Sequence, residues 1–315
     1  MSKKSVDRKP AKQAGFLYTF FYPNSAARYN EEQRKLKRKE DDIKLHKLYK
    51  LIFDIEKHDF FEACRTVMND RDRAKTKNAD EFLPLHLCLY ERGTLQLMEL
   101  LIDSYPHALQ ERDPKGLLPV MIAARDNTVI VPILRMLCDC YAPALREMDP
   151  DGDLPVHSAI RYHLPKENIY ELLNPFKEAI DIADKQGNTL LHLALRFQAQ
   201  DELIEELVNR KPELIRIKNQ KGDLPFHRAC LFHASPAILK LLLSKYPESI
   251  SEKDAQGNLP LHLYYMQCRG GRPSEAMLHF FLEPFPGSVG MKNKANTTPI
   301  EVLDKYYEQL EAYRY

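Results

Sequence analysis

An all-α repeat solenoid, built of helix pairs joined by β-turn or hairpin loops, is the fold that this 315-residue sequence predicts. Three observations carry it. One phrase returns at nearly constant spacing, a second apolar phrase with helical periodicity follows it each time, and the two ends of the series depart from the pattern as capping units must.

The first phrase appears as FLPLHLC (82–88), GLLPVMIA (116–123), GDLPVHSA (152–159), GNTLLHLA (187–194), GDLPFHRA (222–229) and GNLPLHLY (257–264), then degraded as NTTPIEV (296–302). Its proline slot falls at Pro84, Pro119, Pro155, Leu190, Pro225, Pro260 and Pro299, at intervals of 35, 36, 35, 35, 35 and 39 residues. Gly116, Gly152, Gly187, Gly222 and Gly257 supply the positive backbone angle of a tight turn tip. Proline two or three residues later suits a first helical turn, where its missing N–H has no partner to lose. His157, His192, His227 and His262 stand two residues past the proline slot.

The second phrase, in LQLMELLIDSYPHAL, DELIEELVNRKPELI and PAILKLLLSKYPESI, spaces apolar residues as one helix face and closes on a proline that ends the helix. A polar turn such as ERDPKG or EKDAQG leads to the next unit. Each unit therefore reads as turn, short helix, loop, longer helix and extended return.

These phrases resemble the ankyrin signature, a glycine turn followed by T-P-L-H-x-A. The resemblance implies that each histidine hydrogen-bonds the neighbouring turn and links repeats. It also implies a partner held along the turn tips and exposed inner-helix residues. Two departures stand out: a 35-residue period where 33 is usual, and no glycine between the paired helices. Four histidines at one phase also invite a metal-site reading, which the roughly 8–10 Å between successive helices opposes, since one ion needs bonds near 2 Å.

The array is expected over 43–315. A capping pair at 43–78 (LYKLIFDIEKHDFFEACRTVM) has no preceding glycine turn, repeats fill 79–295, and a charged helix within 296–315 closes the far end, with Glu301 in place of histidine. Gly270, Gly271 and Pro273 in QCRGGRPSE mark an insertion between paired helices, which explains the 39-residue step.

Residues 1–42 form a separate extension. Lys3, Lys4, Arg8, Lys9 and Lys12 make it basic, and Phe16, Tyr18, Phe20, Phe21 and Tyr22 place five aromatics within seven residues. One reading is a solvated tail whose aromatics fold back onto the first repeats. The other is a docking segment with aromatic anchors for a partner. RKLKRK (34–39) also fits a nuclear-import or RNA-phosphate patch, although acidic residues flank it on both sides.

A formal net charge of +1 gives no global case for nucleic acid or membrane. No apolar run reaches the roughly 18–20 residues of a membrane span, and the start lacks the pattern of a secretion signal. The six cysteines form no even framework, so an intracellular protein, cytoplasmic or nuclear, is expected. No nucleophile elbow, zinc-protease, nucleotide-loop or kinase signature is present. The sequence therefore predicts a non-catalytic protein-binding adaptor or scaffold with no cofactor, no metal and no small-molecule substrate. The alternative is a structural subunit of a larger assembly, ribonucleoprotein included, anchored by the tail.

Positions four and five residues past the histidine slot are expected to face the partner. They are Tyr90 and Glu91, Arg125 and Asp126, Arg161 and Tyr162, Arg196 and Phe197, Leu231 and Phe232, Met266 and Gln267. Arginine at one phase in three consecutive units, with aromatics beside it, points to a groove for a protein segment bearing acidic and apolar residues.

Overall fold

Proline, apolar periodicity and capping hydroxyls set the helices of the structure, a computed structural model that describes residues 66–266, 275–302 and 304. The aromatic and basic extension, the 34–39 patch, most of the N-terminal cap, the 267–274 insertion and the last residues of the C-terminal cap lie outside the described residues.

Six helix pairs follow in order: α1 (Pro84–Tyr90) with α2 (Leu95–Ser104), α3 (Pro119–Ala123) with α4 (Val131–Cys140), and α5 (Pro155–Arg161) with α6 (Lys166–Leu173). Then come α7 (Leu190–Arg196) with α8 (Asp201–Arg210), α9 (Pro225–Leu231) with α10 (Pro236–Lys245), and α11 (Pro260–Met266) with α12 (Glu275–Leu282). Among the described residues there is no β-strand. The short first helices α1, α3, α5, α7, α9 and α11 pack one on the next, and α4 on α6 and α8 on α10 form a second layer.

The apolar pattern explains this stacking. On α8 the buried residues are Leu203, Ile204, Leu207 and Val208, the i, i+1, i+4, i+5 stripe of a helix with one wet face. Ala123, Ala159, Ala194 and Ala229, all buried, let successive short helices approach closely. The result is one core running through the described units rather than a separate core in each. Each fully buried leucine contributes roughly 1.5–3 kcal/mol. Truncating Leu207 to alanine would cost about 2–5 kcal/mol, because the side chain is fully buried and its surroundings collapse only in part.

The chain between units is not simply extended. A one-turn 3-10 helix follows each long helix, most of them with proline in the first turn, as at Pro106–Gln110 and Pro212–Arg216, which insert an apolar pair (Ala108 and Leu109, Leu214 and Ile215) into the core. Tyr105 and Lys211 precede these prolines with φ near −146°, the extended conformation that the pyrrolidine ring imposes on its predecessor.

Glycine is not wholly absent between paired helices, since Gly93 separates α1 from α2, but the helix-ending position itself carries other residues. Arg92, His163, Gln198 and His233 take positive φ of 51–57° there. The following amide closes the helix end onto a carbonyl five residues back, for example Leu164 N–H to Ala159 O at 2.9 Å. The side chains in these strained positions reach the next unit: Arg92 pairs with Asp126, His163 lies edge-on to the Phe197 ring, Gln198 donates to the Phe232 carbonyl, and His233 packs on Tyr264. Glycine would relieve the backbone but remove each bridge.

Candidate functional site

Every turn tip is built on an acid or amide three residues before the glycine. Asp184 Oδ1 accepts from the amides of Gln186 and Asn188, and Asn219 Oδ1 accepts from those of Lys221 and Asp223. Asp113, Asp149, Asp254 and Asn293 hold the same place. Each tip then closes as a small hairpin, such as Asp184 N–H to Asn188 O and Gly187 N–H to Asp184 O. Tips also bond to one another, with Gln220 N–H donating to Gln186 O and Ala255 N–H to Lys221 O. At Gly222 (φ +73°) an added Cβ would stand 2.8 Å from the Ala255 nitrogen, so the stitch between tips needs glycine for space as well as angle.

The histidines link units. In His157, Nδ1 accepts from the Leu154 amide at 3.1 Å, so the ring proton sits on Nε2, which donates to the Ile182 carbonyl at 3.0 Å. His86, His192, His227 and His262 bond in the same way to the carbonyls of Glu111, Asp223, Glu252 and Thr297. Burial is the main cause of their lowered pKa values, and His192 falls to about 4. All five are therefore neutral near pH 7. Among the described residues no group of three or more His, Cys, Asp or Glu side chains is arranged to hold a metal ion. The second occurrence of the phrase, GLLPVMIA, has Met121 in the histidine slot, where its sulfur faces the Leu118 amide.

The row of side chains past the histidines lies over these tips. Tyr90 donates its hydroxyl to Asp113 at 2.7 Å, and burial together with this bond raises its pKa. Arg125 reaches Asp149 at 2.5 Å and Asp151 at 3.2 Å. Arg161 binds Asp153 at 2.7 Å and Asp184 at 2.8 Å. Two of the three aligned arginines thus neutralise turn carboxylates, Arg125 those of the following unit and Arg161 one of its own and one of the following unit. Arg228, a position to which the sequence assigned no role, does the same for Asp223 at 2.9 Å. Arg196 differs: it is exposed, makes no ion pair among the described residues, and lies over Phe197 at 5.3 Å. Tyr162 is 43% exposed, and Phe197, Phe232, Leu231 and Met266 are half-buried. Glu91 points to solvent, Asp126 pairs with Arg92, and Gln267 lies outside the described residues.

Two hollows open at this end of the first units. One, of about 440 Å³, is walled by Tyr90, Arg125, Arg161, Tyr162 and His163. The other, of about 380 Å³, is largely apolar and lined by Leu95, Met98, Ala123, Val129, Ile130 and Ile133. They share Leu89, Arg92 and Asp126, so the Arg92–Asp126 pair forms the partition between them.

Helix pairs stacked through a histidine-to-carbonyl link and glycine-tipped turns have the architecture of an ankyrin repeat array. Residues 207–263 match the family model described as ankyrin repeats (many copies). Among solved structures the chain is similar to the ankyrin repeat domain of Bcl-3, described as a unique member of the IkappaB protein family. Identity is 21%, 71% of this chain and 94% of that one are covered, and the TM-score is 0.53. It also matches the structure of a predatory endopeptidase from Bdellovibrio bacteriovorus in complex with an immunity protein. There identity is 19%, coverage is 63% of this chain and 95% of that one, and the TM-score is 0.49. No curated protein matches the chain. At these identities the likeness concerns the fold.

Proposed function

We propose that the chain is a non-catalytic adaptor or scaffold that holds another protein across the ends of its short helices. The observation that carries this reading is the row of exposed Tyr162 and Arg196 with half-buried Phe197 and Phe232, beside the 440 Å³ hollow. Aromatic and arginine side chains on one rigid face are the composition of interface anchors. The same scaffold repeats, so neighbouring anchors are held in fixed register. Arg196 is the anchor for an acidic side chain, because Arg125 and Arg161 already serve internal aspartates.

Among the described residues no helix is long and apolar enough to cross a membrane, and the reading needs neither cofactor nor nucleic acid. The test is affinity capture from the native source with the double variant Tyr162→Ala, Arg196→Glu. Both side chains are exposed, so the helical circular-dichroism spectrum stays unchanged while partner recovery falls. Unchanged recovery rejects this face.

A further inference from the structure

We propose that Arg196 and Arg228 together clasp one carboxylate, the side chain of an aspartate or glutamate on a partner protein. The inference rests on the adaptor reading and deepens it: it names a second arginine and the group that the face recognises.

The repeat itself shows what is missing here. Arg125 and Arg161 each reach the acid that opens the following turn tip, Asp149 and Asp184, and Arg161 also takes Asp153, the residue after its own unit's glycine. For Arg196 the corresponding residues are Asn219 in the following tip and Asn188 after Gly187. Both are buried amides, and Asn219 Nδ2 donates to Asn188 Oδ1 at 2.8 Å. An amide carries no charge, so the exposed Arg196 keeps its own un-neutralised.

Arg228 is the second half of the site. The position just past the histidine slot holds Leu87, Ile122, Ser158, Leu193 and Leu263 in the other units, and arginine only here. The residue is buried, with 6% of its surface exposed. Asp223 meets its Nη2 at 2.9 Å, while the buried Nε has no hydrogen-bond partner among the described residues. A buried N–H left unsatisfied destabilises the fold, and a ligand oxygen relieves it. Burial lowers the Arg228 pKa, and the charge of Arg196 adds to that, so the two guanidiniums are near enough to repel.

Charge and geometry choose the guest. Arg161 takes Asp153 and Asp184, which leaves Asp223 as the one carboxylate for the two cations Arg196 and Arg228. One further carboxylate balances that count, whereas a phosphate dianion would stand beside Asp223 with charge in excess. The Phe197 ring lies against Arg196 at 5.3 Å and the Phe232 ring against Arg228 at 6.0 Å. These rings cover guanidinium faces, so a guest meets the planar N–H edges. Such edges match the two oxygens of a carboxylate.

Arginine Nε–H NMR signals of the pure full chain read the site, with sodium acetate as the probe at constant ionic strength. The signals of Arg196 and Arg228 are expected to shift along one saturating curve, while those of Arg125 and Arg161 stay in place. Arg228→Leu with Asp223→Asn copies Leu193 and Asn188 of the preceding unit, so its urea midpoint is expected at or above that of the unaltered chain. Acetate should then bind Arg196 about ten-fold more weakly. Should that double variant fold poorly, Arg196→Gln, at an exposed position, must abolish the Arg228 shift instead. Signals that stay still in acetate, that move alike in chloride, or that keep their affinity in the variants overturn the proposal. Tighter binding of inorganic phosphate overturns it too, in favour of a phosphorylated guest. A failed titration leaves the capture result with Tyr162→Ala, Arg196→Glu free to stand, since that test reads any partner on this face.

Discussion

The imidazole of His192 donates from Nε2 to the main-chain carbonyl of Asp223, 31 residues further along, at 2.9 Å, while its Nδ1 faces the amide and hydroxyl of Thr189. A proton added at Nδ1 would meet donors, and burial opposes the charge, which is why the pKa falls to about 4.

That relationship gives stability a pH dependence. Five linking histidines have folded-state pKa values below the ordinary 6.5, so the unfolded chain binds more protons below that pH. Their contribution is complete above pH 6.5 and is lost as pH falls through each lowered pKa, which for His192 lies at about 4. For His192 alone the loss is on the order of 3 kcal/mol. Carboxylates held low, such as Asp184, add their loss at lower pH. Urea midpoints at pH 7.5, 6 and 5 should fall in that order, and the NMR signals of the His192 ring should remain those of a neutral imidazole at pH 5.5. A flat midpoint would contradict the link.

Arg161→Met leaves Asp153 and the fully buried Asp184 side chain without their cation. The expected cost is about 2–4 kcal/mol in chemical denaturation, since one partner of a largely buried pair is removed. Adding Asp184→Asn recovers much of it. The amide oxygen can still accept from Gln186 and Asn188, and the orphaned charge is gone. A double variant no more stable than Arg161→Met would reject the pairing.

The turn tips separate angle from space. Gly222→Ala is expected to destabilise by more than about 1 kcal/mol, because positive φ and a 2.8 Å approach to Ala255 act together. At the last tip Asn296 stands in the glycine place with φ +59°. Asn296→Gly should stabilise by a few tenths to about 1 kcal/mol, through easier access to that angle. Thermal melts of the two variants, moving in opposite directions, check this.

What the sequence disclosed and what it hid follow one rule. Pro155, Gly152 and His157 were legible because each solves a backbone problem that only a few residue types can solve, and the unit repeats that solution. The acids Asp113, Asp149, Asp184 and Asp254 were periodic too, three residues before four of the five turn glycines. Yet in ERDPKG and EKDAQG they looked like ordinary polar turn residues. Missing them made Arg125 and Arg161 look available for a partner, when the structure has them bridging units. The positive-φ roles of His163 and Gln198 were hidden because their bridges to Phe197 and Phe232 join residues 34 apart.

The face over the turn tips is the central claim, and a photo-crosslinking residue at Tyr162 tests it most directly against one at Glu205, exposed on α8. In extract of the native source the account predicts a discrete crosslinked protein from position 162 and none from 205. Crosslinking from 205 alone, or the same product from both, would contradict it.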